Sequence, residues 1–215
     1  MATSRTAQPR RARARRGSGD QLRIDVVAAA KSVWAAAGEQ EKVSVRAVAE
    51  AVGVTTPSIY LHFGSKDTLL EAVAVEVLAA LDSAMATALA DHDDPLDALC
   101  GCAMTYVEFA LEHPAQYRFA TMVRTRPSET LDRIVAGSAL NRLETGVVAC
   151  IDAGAFPRQD PRPAALGIWS AAHGIAALII ANALPPGAES KIVANHALRS
   201  AVHGYTVNEG GRRDR

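Results

Sequence analysis

Aromatic residues are scarce in this chain: Phe, Trp and Tyr together make up 5% of its 215 residues. The core therefore has to be filled with aliphatic side chains, and any cluster of aromatics asks for a reason. Cysteine is rarer still. Cys100, Cys102 and Cys150 form an odd set, which argues against a disulfide framework and fits a reducing compartment. Cys100 and Cys102 lie two apart on a predicted helix, so their side chains diverge by more than a right angle. A zinc site needs further ligands close by; buried thiols and no metal are expected. A nucleophile elbow, a glycine-rich phosphate loop and a Cys/His array are also missing. The expectation is a protein that is not an enzyme, with no catalytic residue and no cofactor. Lysine numbers four against nineteen arginines, a bias that reads as coding composition and not as chemistry.

Formal charge sums to zero, but it is unevenly spread. Residues 1–66 carry eleven Lys/Arg and five Asp/Glu, whereas residues 67–215 carry twelve and eighteen. A basic N-terminal part over an acidic body suits a polyanionic partner. Residues 1–16 alone hold six arginines (Arg5, Arg10, Arg11, Arg13, Arg15 and Arg16) and no acid, while residues 17–66 hold five charges of each sign. The run "MATSRTAQPRRARARRGSGD" has little to bury and reads as a disordered basic arm over residues 1–19, either a solubilising tail or, the favoured reading, an arm that follows DNA phosphates or enters a minor groove. It lacks the apolar stretch of a secretory signal and the apolar face of a targeting helix.

Past the arm, helical periodicity recurs and no strand pattern rises above it, so an all-α fold is expected. In "IDVVAAAKSVWAAAG", Val26, Val27, Ala30, Val33, Trp34 and Ala37 share a face, and Gly38 is a natural stop. Ser44 caps "SVRAVAEAVG", with Val45, Val48, Ala49 and Val52 inward and Gly53 ending it. Thr56 is the predicted cap of the next helix, with Pro57 in its first position. Ser65 caps a long helix striped with Leu70, Val73, Val77, Leu81 and Met85, broken by "DHDDP" at 91–95. Further helices are predicted over 96–112, 114–124, 128–153, 163–184 and 188–205. The "HDD" at 92–94 reads as an acidic loop rather than a metal site.

The segment "SVRAVAEAVGVTTPSIYLHF" (44–63) has the spacing of a helix-turn-helix. Ala49 permits close approach, Gly53 opens the turn, and Ile59 pins the second helix. That helix can lie in a major groove with its first residues at base edges. Thr56 and Ser58 offer hydroxyls and N–H groups at a helix N-terminus, which suit phosphates. Tyr60 and His62 face outward, Ile59 and Phe63 inward. Leu61 cannot hydrogen-bond to DNA; it either touches a thymine methyl or packs, and it is left out of the predicted contacts.

Residues 20–70 resemble the DNA-binding domain of TetR-family transcriptional regulators. The resemblance rests on "AAAKSVWAAAG" and "VSVRAVAEAVGVTTPSIYLHFGSKDTLLEAV", most specifically on "SIYLHFGSKDTLL". "EHPAQYRFA" (112–120) and "IWSAAHG" (168–174) resemble the family's ligand-binding domains, of the type marked by Trp-x-x-x-His-Gly. The resemblance implies a helix-turn-helix domain over 20–66, a helical ligand-binding and dimerisation domain over 67–206, and a tail at 207–215. It implies DNA contacts by Ser44, Arg46, Thr56, Pro57, Ser58, Tyr60, His62 and Lys66, with Arg46 suited to a guanine and Lys66 to a phosphate. The family's function would make this a cytoplasmic homodimer, most readily a repressor, on an inverted-repeat operator and released by a small, largely apolar effector.

The body is less explicit. "AALGIWSAAHGIAALIIANAL" (164–184) bears no formal charge and is long enough for a membrane span. Its alanines, glycines, Trp169, Ser170, His173 and Asn182 fit a helix buried within a helical dimer, so no membrane is expected. The resemblance pairs the last two long helices with those of a second chain. Tyr106, Phe109, Tyr117, Phe119, Met122, Trp169 and His173 are either core residues or the lining of an effector pocket. Two other readings stay open: an all-α small-molecule-binding protein or enzyme with no DNA role, and a DNA-coating protein driven by the arm.

Overall fold

The computed structural model describes residues 18–39, 42–121, 129–184 and 187–206, and every helix or strand among them is an α-helix. In chain order these are α1 (Ser18–Ala37), α2 (Val45–Val52), α3 (Thr56–Phe63), α4 (Lys66–Ala90), α5 (Pro95–Glu112), α6 (Pro114–Thr121), α7 (Glu129–Asp152), α8 (Pro161–Ile180) and α9 (Ala188–His203). The all-α expectation holds. The chain divides into two compact units, one of residues 1–76 with 115–123, the other of residues 77–114 with 124–215. The arginine arm to residue 17 and the tail from 207 lie outside the described residues.

In the first unit α1 begins earlier than its apolar periodicity announces. Its opening turn is polar, and Gln21 Nε2 donates to Asp25 Oδ1 at 2.8 Å. Val26, Val27, Ala30 and Trp34 are buried, while Val33 and Ala37 are half-buried. Ser44 Oγ caps α2 by accepting from the Ala47 N–H at 3.2 Å. Gly53, at φ 74° and ψ 32°, ends it in the left-handed region that glycine enters without a Cβ penalty. The cap of α3 is Thr55, not Thr56 as predicted. Thr55 has the extended backbone of a cap (φ −92°, ψ 150°) and its carbonyl accepts from the Ser58 N–H at 2.9 Å. Helical geometry starts at Thr56, which places Pro57 second. Ile59 and Phe63 are 1% and 4% exposed, each burial stabilising the helix by roughly 1.5–3 kcal/mol. Arg23 of α1 stacks 4.8 Å over the Phe63 ring. Ser65 caps α4 through the Thr68 N–H at 3.1 Å.

In the second unit Asp94 caps α5, its carboxylate accepting from the Leu96 and Asp97 N–H groups at 2.8 and 3.0 Å. The acidic loop is thus a helix cap. α5 packs against α7, α8 and α9, and α8 against α7 and α9. α8 buries Ala164, Ala165, Ile168, Ala172, Ala176, Ile179 and Ile180 along one face. Both α4 and α8 are long and apolar enough to cross a membrane by length and composition, but their buried stripes pack within the protein. Arg142 of α7 grips Asp82 of α4 with two bonds, Nε to Oδ1 at 2.9 Å and Nη2 to Oδ2 at 2.8 Å. All three thiols are buried and free, and Cys150 Sγ donates to the Pro95 carbonyl at 3.3 Å.

Candidate nucleic-acid interface and effector region

The turn and caps of the first unit fix which α3 side chains are free. With Ile59 and Phe63 committed to the core, Pro57, Tyr60, Leu61 and His62 point outward. Tyr60 is 41% exposed. Thr56 and Ser58 are half-buried, and the Ser58 hydroxyl shares a 2.9 Å hydrogen bond with that of Thr55. The sequence of α3, TPSIYLHF, contains no acid, so nothing on it repels phosphate. A Cβ added at Gly19 would lie 3.8 Å from His62 Cε1. The start of α1, from which the arginine arm leads, is therefore beside α3.

Around that helix the predicted cations are in different states. Arg46 is exposed but donates from Nε to Glu50 Oε1 at 2.9 Å. A solvent-facing pair of this kind is worth at most about 1 kcal/mol, so the guanidinium is cheaply released to another acceptor. Ser44 is exposed; its oxygen serves the α2 cap, and its hydroxyl hydrogen is left to donate. Lys66, half-buried, opens α4. Leu61, left out of the predicted contacts, is 87% exposed, which speaks against the packing alternative. Its signal lay in the helical period, not in its chemistry.

The predicted effector residues separate. Tyr106 of α5 and His173 of α8 meet, hydroxyl to Nδ1, at 3.2 Å. Trp169 joins them, its ring centroid 5.5 Å from that of His173, as their spacing of four predicts. Burial lowers the His173 pKa below its ordinary value, so the imidazole is neutral at pH 7 and offers one donor and one acceptor. Trp169 Nε1 is buried and has no hydrogen-bond partner among the described residues. Phe109 is half-buried and its ring lies tilted against that of His113, centroids 4.5 Å apart. Tyr117 is buried in α6, within the first unit. Met122 and the Phe119 side chain lie outside the described residues. Sequence reasoning missed Gln116, 2% exposed, whose Nε2 is another buried donor lacking a partner among the described residues. A cavity of about 330 Å³ lies elsewhere, between α5, α9 and His92, where Arg199 pairs with Asp97 at 3.0 Å. Among the described residues, none of the predicted effector set lines it.

Comparison with known proteins bears on both regions. Residues 26–73 match the family profile of bacterial regulatory proteins, tetR family. Residues 98–199 match that of the tetracyclin repressor-like C-terminal domain. Among solved structures, a TetR-family transcriptional regulator from Pectobacterium atrosepticum is similar at 21% identity and TM-score 0.73, covering 91% of this chain and 99% of that one. PfmR, a TetR-family regulator from Thermus thermophilus, aligns at 22% identity and TM-score 0.60 over 82% and 96%. RolR, solved with resorcinol, aligns at 17% identity and TM-score 0.66 over 90% and 92%. At such identities these structures speak for the fold. No curated protein matches the chain. The two profiles together span more than two thirds of the sequence, in the order of a helix-turn-helix followed by a helical effector domain. The chain belongs to the TetR family of bacterial regulatory proteins, ligand-responsive DNA-binding regulators of transcription.

Proposed function

We propose that this regulator is a cytoplasmic homodimeric repressor that binds an inverted-repeat operator and lets go when a small, largely apolar effector enters its trunk. The observation that carries the reading is α3. Two core residues lock it in place while Pro57, Tyr60 and His62 stand free beside an acid-free surface. In the bound state Tyr60, His62, Thr56, Pro57 and Ser58 would meet one major groove. Arg46, released from Glu50, would reach a base edge, and Ser44 and Lys66 would hold phosphates. The arm, leading off beside His62, would follow the backbone or enter a flanking minor groove.

The two-fold is supported by an exposed stripe in the second unit. Leu166, Ser170 and Leu178 on α8 and Ala181 at its cap are exposed, with half-buried Ala177 among them and Leu166 and Leu178 39% and 48% exposed. α9 adds Ile192 and Val193, 69% and 41% exposed. Small residues between large ones let helices of two chains approach closely, and a closed two-fold would set the half-site spacing. For the effector, the Tyr106–His173–Trp169 cluster offers polar handles in an apolar setting, and an acceptor oxygen on the ligand would satisfy Trp169 Nε1. Phe109, also on α5, completes the proposed contacts within this unit. The resorcinol in the RolR structure makes small phenols the first compounds to try. The effector shifts the dimer only by its differential affinity for the two states.

The test is selection of bound duplexes from a random pool at near-physiological salt, using the full chain. One enriched inverted repeat supports the proposal. Binding without enrichment points to an arm-driven coating protein, and no binding with or without candidate phenols removes the DNA role.

A further inference from the structure

Leu61 occupies the outermost line of α3. It lies two residues from both Ile59 and Phe63, and each step of an α-helix turns about 100°, so it stands roughly 160° from either core residue. The solvent exposure of 87% agrees: among the described residues this side chain is almost uncovered. Pro57, four residues earlier and exposed, shares the line. Tyr60 and His62 flank it, and the helix has no carboxylate. The apex of the helix is thus apolar, with polar groups at its sides.

We infer that Leu61 reads the C5-methyl group of a thymine in each half-site, resting on the regulator reading above. A side chain with no polar atom contributes nothing to the core from this position and cannot donate to a base or phosphate. The thymine methyl is the one apolar feature that base edges present in the major groove. The polar flanks and the absence of acid on α3 favour nucleic acid over an apolar protein surface as the occupant. Leu61 is therefore a specificity residue: it adds little to non-specific binding, which phosphate contacts supply, and discriminates at one base pair.

The experiment uses the full chain and the duplex recovered by selection. Each thymine is replaced in turn by deoxyuridine, which removes only the methyl group, and affinity is measured by fluorescence anisotropy. One thymine per half-site should be sensitive, losing about fourfold in affinity, or roughly fifteenfold when both half-sites are changed, from the transfer value of one buried carbon. Leu61→Ala should bind thymine and deoxyuridine duplexes alike at that position. Its melting temperature should match the parent, because the truncated side chain is solvent-exposed. An enriched duplex whose wild-type binding ignores every methyl overturns the inference alone. So does a methyl dependence that survives Leu61→Ala. Failure to enrich any duplex overturns the regulator reading and the inference with it.

Discussion

α3 and α8 both carry apolar side chains into solvent, and they do so in opposite company. On α3, Tyr60 and Leu61 stand beside hydroxyls and an imidazole, with cations at the margins and no acid. On α8, Leu166 and Leu178 are interleaved with Ser170 and Ala177, and Ala181 follows at the cap. Bulk among polar groups suits a partner that is itself polar and deeply grooved. Bulk among small residues suits another helix, whose backbone must come close. An exposed hydrophobic count alone would have treated the two faces as equals.

The comparison breaks most decisively at the α8 face. Leu178→Arg should place an unpaired charge in the proposed interface, dissociate the dimer, and cut operator affinity by more than about 100-fold. Sedimentation velocity with operator titration checks this; a stable dimer would remove α8 from the interface. On the other side, Tyr60→Ala should lower operator affinity by roughly 10- to 100-fold, the span of one good base contact, with dimer and melting temperature intact. A collapse of folding would instead make Tyr60 a core residue. Deleting residues 1–16 should flatten the dependence of log affinity on log salt by about 0.9 for each phosphate the arm neutralises, and an unchanged slope removes the arm from the complex.

The smaller effects lie in the ion pairs. Arg142 holds the Asp82 carboxyl below its ordinary pKa, chiefly through its hydrogen bonds. A lowered folded value means stability that is present above the unfolded pKa and lost as pH falls through the folded one. Asp82→Asn should therefore cost about 1 kcal/mol at pH 7, a partly exposed pair being well screened. The gap should close below about pH 4, as read by urea unfolding at several pH values. Glu50→Gln frees Arg46 and removes one negative charge near the backbone. About a twofold rise in duplex affinity is expected, by analogy with the strength of such helix pairs, and anisotropy at low salt would reveal it.

The helix-turn-helix was legible because its information is local. Gly53 at a left-handed turn, Ser44 at a cap, and Ile59 and Phe63 at helical spacing each announce themselves within a few residues. Where two hydroxyl residues stand side by side, Thr55 and Thr56, local chemistry could not choose the cap. For Leu61 the sequence left two alternatives, a thymine methyl or packing, and only its exposure of 87% decides against packing. The trunk is a different case. Trp169 and His173 are paired by their spacing of four, but the bond from His173 to Tyr106 joins residues 67 apart in sequence. Such a contact exists only once α5 and α8 have packed. The buried Gln116 Nε2, without a partner among the described residues, and the His92–Arg199 cavity, likewise products of packing, leave no trace in composition or period.

The placement of the thiols has a practical consequence. All three belong to the second unit, at positions 100, 102 and 150, and none to the first. Burial pushes Cys102 up to about 12 and Cys150 up to about 11, and raises Cys100 as well. At neutral pH they are protonated and sheltered, so oxidants and alkylating reagents find almost no thiolate while that unit is closed. The chain thus carries its own clock for the opening of the trunk. A chromogenic disulfide reagent reads it without an engineered label, and an effector that tightens the trunk should slow it.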